Sequence, residues 1–204
     1  SSPHKIGSSD TPWQDFYNTS KGHIRYSGDN KDTGDPLQKN GNKILVQQFE
    51  IHNSNDYEIR KMASPIIFFK RRKKGYVEFN GFGVITNAEL KVQHNRKSKV
   101  DFVNYIFDFA VLEMTKENEI FDWQWINSRR DETKKLEETI INAPYAWKYW
   151  IKHGNNHIEK VRRNVSKLMV TSTVEQKPLH KTKEARILKE IYNYYSNVSK
   201  KERF

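Results

Sequence analysis

Hydrophobic and polar positions alternate over much of the first half of the chain and give way to a wider, helical spacing in the second. His23 to Ser27 reads as a short strand ending at Gly28, and 28–42 as a loop crowded with Asp, Asn, Lys and Gly around Pro36. Asn42 to His52 (NKILVQQFEIH) places Ile44, Val46 and Gln48 on one face and Leu45, Gln47 and Phe49 on the other, so it is expected as a central strand. Ser64 to Lys70 is a short buried strand. Tyr76 to Ile85 and Ala88 to Gln93 are a further pair separated near Asn87, although the turn dipeptide Asn80-Gly81 offers a second place for a hairpin. Phe102 to Met114, rich in β-branched and aromatic residues, is another strand.

Beyond it, Asp131 to Ile141 predicts a helix with Asp131 as its cap, and Pro144 opens a ring-rich helix that stops at Gly154. Lys167 to Val174 predicts a returning strand, and Lys181 to Lys201 a C-terminal helix. The division is therefore a flexible lead-in over 1–12, one domain over 13–178 and a C-terminal helix over 179–204. The fold class is α+β, a curved, mainly antiparallel, barrel-like sheet with helices packed on it.

Composition narrows the partners. Lys+Arg 36 against Asp+Glu 25 gives a formal charge of +11, the balance of a protein that meets a polyanion. Nucleic acid comes first and an anionic membrane surface second, but no apolar run approaches the ~20 residues of a span. The absence of cysteine excludes thiol chemistry and cysteine-ligated zinc and fits a cytoplasmic protein. The first ten residues carry no signal pattern, and a start on Ser1 suggests a piece of a longer polypeptide.

Positive charge concentrates in Lys70, Arg71, Arg72, Lys73 and Lys74 before Gly75, and again in Arg96, Lys97 and Lys99. Both runs are solvated turns on ordinary grounds and become phosphate contacts if the partner is a nucleic acid. Trp13 to Lys31 combines Trp13, Phe16, Tyr17 and Tyr26 with Asp15, Asp29, Gly22 and Gly28. Rings to stack on, carboxylates to accept hydrogen bonds and glycines that admit close approach make this stretch a candidate pocket wall.

Catalytic patterns are weak. Glu89-Leu90-Lys91 has the acid-x-Lys form of a metal-dependent nuclease, with Asp101 or Glu78 as potential partners, but such triplets arise by chance in a chain this rich in Lys and Glu. His153 and His157 share a four-residue spacing without the HExxH pattern. Phosphate-loop, nucleophile-elbow and dinucleotide signatures are absent. Neither a cofactor nor a metal is implied. A magnesium nuclease using Glu89 and Lys91, and a basic RNA-binding or interaction domain, are the rival readings.

Arg25-Tyr26-Ser27-Gly28-Asp29, a polar loop, and then Gly41-Asn42-Lys43-Ile44-Leu45 resemble the signature of SRA (SET- and RING-associated) domains, in which a Y-[ST]-G turn precedes a loop and an N-x-A-L strand. Gly75 to Phe82 (GYVEFNGF) is similar to that family's Y-x-Y-D-G-L-Y strand. The GDNK turn resembles more closely the SRA-like domains of bacterial modification-dependent (type IV) restriction endonucleases, the MspJI, AspBHI and SauUSI group.

The resemblance implies a module that binds methylated double-stranded DNA and flips a modified cytosine into a pocket, 5-methylcytosine first and 5-hydroxymethylcytosine second. It also implies a nuclease domain elsewhere in the parent chain, with a helicase domain as a second expectation. By the same resemblance Tyr26 is the stacking ring, Ser27 the adjacent hydroxyl and Asp15 the acid that accepts from the cytosine amino group. Trp13, with Gln14 beside it, is then a second stacking ring for which Phe16 or Tyr17 is an alternative, and Asp29 is either a reading acid or a turn former. Lys31, Lys70 to Lys74, Arg96 and Lys97 are the implied backbone contacts.

Overall fold

The computed structural model describes residues 15–165. Five strands, β1 (Phe16–Asn18), β2 (His23–Ser27), β3 (Ile66–Lys73), β4 (Tyr76–Asn95) and β5 (Val100–Val111), form one antiparallel sheet in the order β1-β2-β5-β4-β3. Five helices accompany it: α1 (Asn40–His52), α2 (Tyr57–Lys61), α3 (Trp123–Arg130), α4 (Leu136–Ile141) and α5 (Tyr145–His153). This is the curled, half-barrel α+β architecture that the alternation predicts. The expected strand over 167–174 and the expected C-terminal helix lie outside the described residues, as does the whole of the 1–12 lead-in.

Alternation along β4 and β5 sends side chains to two cores. Phe82, Val84, Ala110 and Leu112 face α3 and α5, where Trp125, Trp147 and Trp150 are fully buried. Ile85, Phe107, Phe109 and Val111 face the other way, with Ile24 and Phe68, and meet Leu45, Val46 and Phe49. Burial of such rings is the main stabilising contribution, on the order of 2–3 kcal/mol for each large apolar side chain. Trp123, by contrast, is exposed and lies parallel to Phe69 at 6.1 Å.

Four expectations are corrected. Residues 42–52 form helix α1, not a strand. Leu45, Val46 and Phe49 make a stripe at helical spacing that packs on the sheet, while Ile44, which alternation grouped with Val46, is exposed. Second, β4 is one continuous strand; near Asn87 the chain makes a bulge between Ile85 and Asn87 instead of a break. Asn80-Gly81 lies inside it, where Gly81 takes φ 117°, and a Cβ there would also meet the Val111 side chain at 2.8 Å.

Third, the helix expected from Asp131 begins at Leu136. Asp131 follows α3, which the pattern did not foretell, and its carboxylate accepts hydrogen bonds from the Thr133 amide and hydroxyl. Fourth, the strand expected to end at Lys70 runs on through Lys73. The helix after Pro144 ends at Gly154 as predicted, and buried Arg60 donates to the carbonyls of Ile151 and Lys152 at its C-terminus.

Candidate nucleic-acid interface

β1 and β2 pair with Phe16 opposite Arg25 and Tyr17 opposite Ile24. Extending that ladder by one residue sets Asp15 against Tyr26 on the same face of the sheet. Asp15 Oδ1 accepts the Ser27 backbone amide at 2.9 Å, which fixes the carboxylate beside the ring. Half-burial pushes the Asp15 carboxyl up, opposed by that amide bond. The Tyr26 phenol is also pushed up, chiefly by burial and then by the charges of Asp15 and Asp29. Both acids are thus close enough to act on one hydroxyl. Tyr26 itself is half-buried, packed against the core that β2, β3 and β5 share.

Asp29 has a defined local task. Its amide donates to Asn42 Oδ1 at 3.0 Å, and its own Oδ1 accepts the Asn42 amide at 3.3 Å, so it caps the start of α1. Asn42 is fully buried and also donates to Asn104 Oδ1, whose amide in turn donates to the Gly28 carbonyl. A Cβ on Gly28 would lie 2.1 Å from Asn42 Oδ1, so this glycine admits an internal side chain. Trp13 and Gln14 lie outside the described residues. Ser27 pairs with Ile106 and contributes its backbone amide to Asp15.

The cationic residues form two groups at opposite ends of β4. At one end Arg71, Lys73 and Lys74 are exposed around the turn at Gly75; Lys73 lies 4.4 Å from the centre of the Tyr76 ring and Arg72 pairs with Glu78. At the other, Arg96 and Lys97 occupy the β4–β5 turn, where Asn95 Oδ1 accepts the Lys97 amide. Asn95 also donates to the Lys31 carbonyl, which joins Lys31 to this second group.

Glu89 and Lys91 pair with each other at 2.9 Å, and Arg25 lies 4.0 Å from Glu89. No group of three or more His, Asp or Glu able to hold a metal ion occurs among the described residues. No helix among them is long and apolar enough to cross a membrane.

Two features were not anticipated from sequence. Asp108 accepts both arms of Arg25 at 2.8 Å and binds His23 at 3.0 Å, and the Arg25 guanidinium holds its carboxyl down at about 2. The second is a cleft between the two edges of the sheet. The half-barrel curls until Tyr17 of β1 meets Phe68 of β3 at 6.3 Å and the Thr19 hydroxyl donates to Asn80 Oδ1 of β4. A space of about 250 Å³ remains in the seam.

The family model described as restriction endonuclease AspBHI N-terminal matches residues 4–162. The chain belongs to this family. It is an SRA-like recognition domain of the modification-dependent restriction endonucleases. A structure described as MspJI restriction endonuclease in complex with a 27-mer oligonucleotide superposes with a TM-score of 0.72 at 31% identity, over 96% of this chain and 46% of that one. The chain therefore spans less than half of MspJI. The DNA modification-dependent restriction endonuclease AspBHI (TM-score 0.56, 22% identity, 78% of this chain and 70% of that) shares the fold. So does the DNA recognition domain of the cytosine modification-dependent enzyme LpnPI (0.53, 21%, 78% and 68%). Among curated proteins nothing matches. Within the AspBHI N-terminal family frame, the α1 segment that resembled an N-x-A-L strand is helical here.

Proposed function

We propose that this domain recognises double-stranded DNA carrying 5-methylcytosine, with 5-hydroxymethylcytosine as a second substrate, by drawing the modified base out of the stack and holding it against Tyr26 and Asp15. The observation that carries the reading is the Asp15 carboxylate held by the Ser27 amide, with its charge acting on the Tyr26 hydroxyl. One carboxylate oxygen is committed to the Ser27 amide. The other accepts no hydrogen bond among the described residues and suits the cytosine N4 amino group, a donor. The Tyr26 ring supplies a stacking face, worth ~1–3 kcal/mol per base, which with the amino contact offsets a flipping cost of a few kcal/mol.

Asp29 acts one step back, holding the start of α1 and adding its charge near the Tyr26 hydroxyl. The two basic groups at the ends of β4, with Lys31, meet phosphates on either side. MspJI, the neighbour at 31% identity, is described in complex with an oligonucleotide, which supports a DNA partner here. In this reading the domain extends over 13–178 and serves a larger restriction enzyme whose cleavage, and any motor, lie elsewhere in the parent chain.

The test is a gel shift with paired duplexes that differ only at the modified cytosine. Asp15→Ala and Tyr26→Ala each abolish the preference for the modified duplex while leaving salt-sensitive background binding; an unchanged preference in both variants refutes the pocket. Incubation with methylated plasmid and Mg²⁺ addresses the rival nuclease, for which visible cutting is required.

A further inference from the structure

We propose that the seam cleft between the sheet edges is a binding site for a single DNA phosphate, the one flanking the extruded cytosine; this rests on the base-pocket reading above. The cleft is walled by Tyr17, Asn18, Thr19, Ser20, Lys70, Arg72, Glu78 and Asn80, a lining that is almost wholly polar. The one ring in the lining, Tyr17, packs edge-on to Phe68 against the core, so the walls offer chiefly polar groups, which suit an anion.

Donors are in surplus. Asn18 Oδ1 is taken by the Lys21 amide, so its NH₂ is left to donate, while Asn80, whose Oδ1 accepts from the Thr19 hydroxyl, also has its amide beside the Tyr17 hydroxyl. Lys70 and Arg72 bring two positive charges against the single carboxylate of Glu78. Glu78 lies opposite Lys70 in the β3–β4 ladder and holds Arg72. In the free protein it occupies the place of the phosphate; DNA displaces it from Arg72.

Position agrees with chemistry. Asp15 and Tyr17 lie on one face of the same strand, and the cleft begins at Tyr17. Two to three residues at ~3.3 Å each put Tyr17 and Asn18, where the cleft begins, roughly 7–10 Å beyond Asp15, about the reach from the pairing edge of a base to its own backbone. A nucleotide read by Asp15 therefore lays its phosphodiester toward the seam.

The experiment uses the full chain and duplexes bearing one modified cytosine, in which a neutral methylphosphonate replaces each neighbouring phosphate in turn. Wild type loses roughly tenfold in affinity at one flanking linkage, the scale of one charge-assisted contact. Lys70→Gln loses roughly tenfold on the natural duplex and nothing further at that linkage, whereas Arg96→Gln keeps the full additional loss. Asn80→Ala is the second variant and behaves like Lys70→Gln with a smaller factor. Glu78→Gln, which removes the competing carboxylate, binds the natural duplex several-fold more tightly. If Lys70→Gln and Asn80→Ala both lose the same factor as wild type from every neutral linkage, the cleft holds no phosphate. A wild type with no preference for the modified duplex overturns the base reading alone, and the coupling between Lys70 and one linkage still decides the cleft.

Discussion

Replacing Asp15 by Asn keeps the size of the side chain and an oxygen for the Ser27 amide, but turns the free acceptor into a donor. Opposed to the cytosine amino group, that donor both removes a charge-assisted hydrogen bond and leaves two donors face to face. Asp15→Asn is therefore expected to cut the preference for modified DNA by roughly 10- to 100-fold, from a contact of about 1.5–3 kcal/mol, with little change in melting temperature. Paired gel shifts and a thermal melt measure the two quantities. His52 makes a separate prediction about stability. It is fully buried between α1 and the sheet, its Nδ1 accepting the Ile85 amide at 2.8 Å and its Nε2 donating to the Ser64 carbonyl at 3.0 Å. Burial lowers its pKa from 6.5 to about 4. The folded state thus binds fewer protons than the unfolded one between those values, so the stabilisation is complete above pH 6.5 and is lost as pH falls toward 4. Urea melts at pH 7 and pH 4.5 should differ by on the order of 2–3 kcal/mol from this residue, and His52→Gln should flatten that part of the profile.

At the scale of elements, the β3–β4 hairpin separates general attraction from the cleft. Arg71, Lys73 and Lys74 are exposed and point away from the seam lining. Changing these three to Ser is expected to weaken modified and unmodified duplexes alike and to lower the log–log salt slope by up to about 2.7, or ~0.9 for each phosphate given up. A fluorescence-anisotropy salt titration reads both numbers. The same elements show how far the sequence was legible. Strands β2, β3 and β5 and the curled antiparallel class followed from alternation, and α5 from Pro144 and Gly154. Helix α1 did not, because Ile44 and Val46 at a spacing of two imitate a strand while its cap, Asp29, comes from a loop well before it. A motif resemblance could propose Tyr26 from a short local pattern, and Asp15 from its spacing to that tyrosine. The seam cleft has no local pattern, since Thr19 and Asn80 are 61 residues apart and meet only when the sheet edges curl together. Asp108, likewise, reads as one polar residue interrupting an apolar strand until Arg25 and His23 are brought beside it.

For the whole molecule, charge and recognition are spatially separate, and salt should expose that separation. Among the described residues, exposed cations cluster at the β3–β4 and β4–β5 turns, whereas the proposed base pocket is a half-buried carboxylate beside a ring. Affinity for any duplex must then fall steeply as salt rises, because each phosphate neutralised releases counterions. Discrimination has another origin. A buried methyl contributes ~0.8 kcal/mol by area, about fourfold, so a larger preference has to come from the fit of the extruded base. Neither contribution depends on counterions. If the seam takes one additional phosphate only when the cytosine is extruded, the salt plots for modified and unmodified duplexes are nearly parallel, with slopes that differ by about 0.9. Lys70→Gln should make them parallel while preserving an offset, and Asp15→Asn should close the offset. Plots that diverge by several units would mean that the preference comes from a larger phosphate footprint, with the base pocket contributing little.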